Sequence, residues 1–330
     1  MINAAMIGLG WWGRHIVGCL KESNKIKVVR GVDMDVAPLA GFGAEHGLEL
    51  STDLAEVLAD PTIGAVLLAT PHSLHEQQIV AAAEAGKHVF CEKPLALSRA
   101  AAQRAVDACN AAGVQLGLGH ERRFEPGMVE IKRLVDTGAL GTVLHVESSF
   151  SHDILANVPS EGWRASAKEA PAAGLTATGI HHSDLYLHMF GPIEEVYAQT
   201  ARRAASASAG DILSIQFRFE SGMTGYFSSL LTTPLFLRYR VFGSDAWVES
   251  RDSTHPSELG VTTLTICRGK GEESRTLDDI DTVRANIEAF ADAVEGKQNY
   301  PFTDAQKVQN IAVLEAVIRS AESGKPIQIE

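Results

Sequence analysis

The chain has 330 residues, 45% of them hydrophobic and 21% charged, with 29 basic against 41 acidic side chains. That profile excludes a disordered chain and gives enough length for two cores. A formal charge of -12 with no Lys/Arg block leaves no surface to track phosphates, so no nucleic-acid partner is expected. No apolar run approaches the ~18 residues of a membrane span. The start shows no basic, cleavable leader, and the expectation is a cytoplasmic protein without a membrane partner. Cys19, Cys91, Cys109 and Cys267 form no C-x-x-C pair, so neither a metal site nor a disulfide framework is expected.

Residues 4–9 read as a buried parallel strand that runs into Gly8-Leu9-Gly10-Trp11-Trp12-Gly13. A helix follows to about residue 21, with Ile16, Val17 and Leu20 on its apolar face. The next strand, 26–32, ends at Asp33. Helices over 38–46 and 53–59, a strand over 65–69, a helix over 79–85 and a strand over 87–91 continue the alternation. It closes with a helix over 98–112 and a strand over 114–118. Strand-helix alternation of this kind specifies a doubly wound parallel sheet, here a Rossmann domain over residues 1–120.

The glycine motif sits in the context its chemistry requires. A strand precedes it, a helix follows, and Asp33 stands twenty positions beyond Gly13. Gly8 permits the tight turn, Gly10 lets backbone N–H groups approach a pyrophosphate, and Gly13 lets the helix pack on the sheet. Asp33 is placed to accept from ribose hydroxyls, which favours NAD and leaves NADP open, since Arg30 lies close by on the same strand. One of Trp11 and Trp12 is expected to pack and the other to wall the nicotinamide pocket.

Two further loops fall at strand carboxyl ends, where this fold places its ligands. Thr70-Pro71-His72-Ser73-Leu74-His75 follows the strand at 65–69, and Glu92-Lys93-Pro94 follows the strand at 87–91. Pro94 restricts the backbone of Lys93 and aims its ammonium at the crevice. There it would hydrogen-bond a substrate oxygen or take its proton as hydride leaves carbon.

These segments resemble the glucose-fructose oxidoreductase / inositol dehydrogenase / rhizopine-catabolism (Gfo/Idh/MocA) oxidoreductases. The resemblance runs through the glycine motif, Thr70-Pro71 with His75, Glu92-Lys93-Pro94, 119–124 and 179–184. It implies NAD(P)-dependent oxidation or reduction of sugars, cyclitols and related polyols. It also implies a second domain on an open, mainly antiparallel sheet that carries the small-molecule substrate and joins subunits.

The remaining sequence reads compatibly as an α+β domain over 121–330. A helix is expected over 127–136, a strand over 142–150 and a helix over 175–190. Strands are expected over 194–204, 212–220, 223–230, 236–242, 246–250 and 259–266, with Glu220-Ser221-Gly222 as a hairpin turn. Terminal helices over 282–295 and 303–323 would pack on the first domain or brace the second. A sheet covered by helices on one face needs a partner on the other, so a homodimer or homotetramer is expected.

By the resemblance, His181 is the acid/base group, and Lys93 polarises or directly deprotonates the same oxygen. His182 is read as structural. Asp184 would orient a ring or bind substrate, and His120 and Arg123 would also contact substrate. Arg122, Trp163 and Arg164, with Thr70, Pro71, His75, Glu92 and Lys93, would contact the cofactor. An aspartate that relatives carry four residues before the histidine is Ala177 here, so the proton relay is rewired and myo-inositol is a poor substrate guess. If two of His120, Arg122, Arg123 and Arg164 stay free, a sugar acid or an aromatic carboxylate would suit them. Two other readings stay open: a redox-neutral, NAD-retaining hydrolase or epimerase, and a non-catalytic dinucleotide sensor.

Overall fold

The computed structural model describes residues 1–153, 169–204, 210–255 and 257–329. Its first sheet is built from β1 (Ile2–Ile7), β2 (Ile26–Val32), β3 (Glu49–Ser51), β4 (Ala65–Leu68), β5 (His88–Glu92) and β6 (Leu116–Gly119). Helices α1 (Trp11–Cys19), α2 (Ala40–His46), α3 (Leu54–Ala59), α4 (His75–Glu84) and α5 (Arg99–Ala112) connect them. Every pairing is parallel and the lateral order is β3-β2-β1-β4-β5-β6. The order reverses between β1 and β4, which opens a crevice at their carboxyl ends. Local chemistry marks the helix ends. The Ser98 side chain accepts from the Ala101 N–H at the start of α5, and Gly113 closes it at φ 67.

The rest of the chain supplies α6 (Pro126–Asp136), β7 (Val143–Ser151), a π-helical turn (Leu175–Gly179) and α7 (Ile180–Phe190). Strands β8 (Ile193–Ala201), β9 (Ile212–Phe219), β10 (Thr224–Leu230), β11 (Phe236–Gly243), β12 (Ala246–Asp252), β13 (Val261–Arg268) and β14 (Gly271–Asp278) follow. The chain ends with α8 (Thr282–Val294), α9 (Asp304–Ser323) and β15 (Ile327–Gln328). Among the described residues the second sheet runs β14-β13-β12-β11-β7-β10-β9-β8-β15. It is antiparallel except where β7 pairs parallel with β10.

One face of this sheet is closed by helices. Tyr186 of α7 packs edge-on to Phe217, α6 lies on β12 to β14, and Ser320 of α9 bonds the Ala198 N–H of β8. On the other face Tyr226 and Arg240 both stand in register with Glu147, in a row of alternating exposed residues. That face carries Tyr226, Leu230 and Phe236, all exposed, between the ion pairs Arg238–Glu147 and Arg240–Glu249.

The chain divides into two units, Met1–Glu121 with Asp281–Val308, and Arg122–Ile280 with Gln309–Glu330. A single cut after residue 120 therefore becomes a discontinuous first unit that takes α8 from the far end of the chain. Its reason lies at β6, the edge strand. Asn286 donates to the Leu118 carbonyl at 2.9 Å, and the Tyr300 hydroxyl bonds both Leu118 and Asn286. Phe290 fills the space over Gly117, where a Cβ would meet its ring at 2.7 Å, and packs edge-on to Phe90. Val283, Ile287, Phe290 and Ala291 thereby join Met6, Leu9, Ile16 and Leu67 in one core.

Among the described residues no helix is long and apolar enough to cross a membrane, and no cluster of three metal-ligating side chains occurs. The four cysteines are free thiols.

Candidate active site

Three loops meet at the carboxyl edge of the first sheet, and steric requirements fix their glycines. Gly8 has φ +91, and a Cβ there would lie 2.7 Å from the Ala69 carbonyl oxygen. A Cβ on Gly13 would lie 1.9 Å from the Gly8 carbonyl oxygen, while Gly10 faces open space. Helix α1 begins without a side-chain cap and without an acidic residue in its first turn. Its N–H groups and positive dipole end are thus left for an anion, the cradle a dinucleotide pyrophosphate needs. Asp33 stiffens this loop: Oδ2 accepts from the Leu9 N–H at 2.7 Å and Oδ1 from the Met34 N–H at 2.8 Å. Arg30 pairs with Glu49 and Asp60. Trp11 is exposed at the helix start, and Trp12 packs on the core.

Next to this loop, Thr70 bonds Gln78 through its hydroxyl, and its carbonyl lies 3.1 Å from Nε2 of His75. Nδ1 of the same ring lies 2.8 Å from the Pro94 carbonyl. His75 is fully buried and braces the 70s loop against the 94 turn. The braced segment carries Lys93, half-buried, ahead of a cis peptide bond to Pro94. Glu92 turns inward rather than outward, and its carboxyl lies over Gly119. His120, expected at substrate, is buried and stacks on Phe302 at 6.5 Å.

The second unit holds the other expected residues. His181 is the second residue of α7, directly after the π-helical turn, and is 4% exposed. The turn is defined by i to i+5 bonds from Gly179 and Ile180, and Thr178 locks it by bonding the Gly174 carbonyl and Ser229. Such turns displace a helix locally and recur where helices carry function. His182 is caged by the Phe150, Phe227 and Tyr239 rings, and its two nitrogens have no hydrogen-bond partner among the described residues. Burial and then the Arg122 charge hold its ring neutral, well below the ordinary imidazole range.

Arg123 and Asp184 occupy each other. Nε and Nη2 of Arg123 donate to the two Asp184 oxygens at 2.7 and 2.6 Å, and both side chains are 2% exposed. The free guanidinium on which carboxylate recognition depended is therefore half of an internal ion pair, and Asp184 is its counterion. Arg122 is buried within the same unit, pairing with Glu125 and Asp252 and lying 4.9 Å over the Phe150 ring. It too is an interior cation, 2% exposed. Trp163 and Arg164 lie outside the described residues. The caging of His182 and the Arg123–Asp184 pair join residues far apart in the chain, so local sequence carried no signal for them.

Comparison with known proteins agrees with this architecture. Residues 2–120 match the Gfo/Idh/MocA oxidoreductase family, NAD-binding Rossmann fold, and residues 128–249 match the GFO/IDH/MocA C-terminal domain. The chain belongs to this family of NAD(P)-dependent oxidoreductases. It is 27% identical to a 1,5-anhydro-D-fructose reductase of Ensifer adhaerens, over 100% of this chain and 98% of that one. It is also 27% identical to a scyllo-inositol 2-dehydrogenase (NAD(+)) of Bacillus subtilis, over 100% and 96%. The crystal structure of aldose-aldose oxidoreductase from Caulobacter crescentus, complexed with glycerol, superposes with a TM-score of 0.89 at 25% identity, covering 99% of both chains.

Proposed function

We propose that this protein exchanges a hydride between a nicotinamide dinucleotide and a carbinol or carbonyl carbon of a sugar, polyol or cyclitol. The observation that carries the reading is Lys93, held by the His75 brace on the same strand edge as the uncapped glycine turn. Bound dinucleotide supplies the hydride acceptor or donor. Lys93 polarises the reacting oxygen, and His181, an imidazole suited to exchange near neutrality, takes or returns the hydroxyl proton. The substrate class is supported by the names of the relatives, which act on anhydrofructose, scyllo-inositol and aldoses. Sugar acids lose their support with Arg123 paired internally.

NAD is the proposed cofactor. A 2′-phosphate would meet the fixed Asp33 carboxylate and Asp35 two residues on, while Arg30 is committed to Glu49 and Asp60. The testing experiment follows growth of the reduced-nicotinamide absorbance with polyols, aldoses and cyclitols, using NAD and NADP in parallel. NAD is expected to exceed NADP in kcat/KM by roughly a hundredfold, because like charges cost several kcal/mol. A substrate consumed without absorbance change would replace the dehydrogenase with a redox-neutral enzyme. No turnover from protein that binds NADH would favour a sensor.

A second copy of this chain is the proposed partner of the open sheet face, whose Tyr226, Leu230 and Phe236 alternate with paired charges. Sedimentation velocity should give a dimer or larger assembly, and Tyr226→Asp should shift it toward monomer. A monomeric wild type ends that proposal.

A further inference from the structure

The first unit buries two carboxyl groups behind Lys93 that the reaction above does not use. Glu92 is 6% exposed and Glu121 is 5%. Glu92 closes β5 opposite Gly119 of β6, and Glu121 stands two residues further along. The Glu92 carboxyl lies so close over Gly119 that a Cβ there would be 2.5 Å from its Cδ. Its Oε2 accepts from the Lys93 backbone N–H at 3.3 Å.

Three neighbours act on this carboxyl electrostatically. Glu121 repels its charge and Lys93 attracts it. The buried Cys91 thiol, raised by burial and then by Glu92, adds no countercharge. The Trp12 indole N–H, short of hydrogen-bond geometry to any described residue, faces Glu92 and favours its charged form. Two carboxylates facing each other away from water do not both ionise readily. Burial first and Glu121 second push the Glu92 carboxyl up to about 8, and the Trp12 and Lys93 contributions do not offset them.

We propose that Glu92 works as a neutral carboxylic acid with Glu121 as its charged partner, and that the pair sets how firmly Lys93 holds its proton. The inference rests on the role given to Lys93 above. Glu92 is a positioning residue that acts through that lysine. With one proton on the pair, the two carboxyls together carry one negative charge. When Glu92 releases its proton to water they carry two, and the neighbouring ammonium binds its own proton more tightly. Holding a carboxyl neutral near pH 7 by enclosure and a like charge is a recognised way to fix proton affinities at a reacting centre.

The test is an infrared titration of the full chain without cofactor or substrate. Wild type should lose one neutral-carboxyl C=O band with a midpoint at about 8. Glu92→Gln should lack that band, and Glu121→Gln should lower the midpoint by about one pH unit or more, roughly tenfold in proton affinity. A wild type with no such band at neutral pH, or a band that Glu92→Gln retains, overturns the neutral acid. A midpoint unmoved in Glu121→Gln overturns the pairing, and that variant still decides if Glu92→Gln does not fold. The kcat/KM profile supplies the link to Lys93: Glu92→Gln should remove a limb near the same midpoint, and a limb that persists breaks the link. Because the titration needs no turnover, a positive titration with a flat dehydrogenase assay removes the proposed function and not the pair.

Discussion

Lys93→Met is expected to lower kcat for NADH formation by about 10²–10⁴-fold with NADH affinity little changed, the range for losing a positioned acid–base group. The split between kcat and binding follows from where the residue sits. On the proposed reading, most of the dinucleotide affinity comes from the glycine turn, the N–H groups of α1 and Asp33. A methionine keeps the length of the side chain and removes its charge. His181→Asn should act in the same direction. The double variant should fall little below the worse single one if both groups serve one proton transfer, as groups acting as a unit are not additive. Stopped-flow turnover and NADH fluorescence titration check this. A Lys93→Met enzyme within tenfold of wild type would dismiss the lysine from the chemistry.

Arg123→Met should destabilise the protein by about 3–5 kcal/mol, because it removes the bidentate cationic partner of a buried carboxylate, Asp184. Asp184→Leu should do the same from the other side. The combination Arg123→Met with Asp184→Leu should recover most of the loss, since a well-packed apolar pair often replaces a buried ion pair at little cost. Denaturant midpoints of the three variants decide it. An Arg123→Met protein as stable as wild type, but with KM raised selectively for carboxylated substrates, would return Arg123 to substrate binding. Acid should destabilise the same region. His188 is pushed down to about 4 by burial and the Arg123 charge, and His182 lies lower than an exposed ring for similar reasons. Both rings bind protons more readily when unfolded, so their contribution is intact above pH 6.5 and lost as pH falls from there toward 4. Glu92 works in the opposite sense and weakens the fold as pH rises from 4.5 toward about 8.

Much of the first sheet was legible because its punctuation is local. Gly8 and Gly13 are required by backbone geometry, and β4 is a continuous apolar run. The strands that escaped lack such a signal. β14 reads Gly-Glu-Glu-Ser-Arg-Thr-Leu-Asp, an edge strand too polar to alternate, and β3 and β15 are three and two residues long. Thr142 and Leu259 fell outside their strands by one or two residues, where ladders start by pairing and not by composition. At the site, Lys93 was readable from its place after β5. The fate of Arg123 was not, because its partner is 61 residues away and two neighbouring arginines look alike in sequence. Likewise Ala177 marks a missing carboxylate, but the π-helical turn around it came only with the structure.

The return of α8 to the first unit has a consequence during synthesis. When Glu121 leaves the ribosome, the Rossmann unit still lacks the segment that fills the space over Gly117 and satisfies the Leu118 edge of β6. That segment begins at Asp281, so the nascent sheet waits roughly 10–30 s at ordinary elongation speeds. Throughout that interval it exposes an apolar slot and an unpaired strand edge, the features that invite association with other chains. Vectorial folding in its simple form, one unit finished before the next begins, is thus unavailable here, because residues 281–308 complete the first unit only after most of the second has been made.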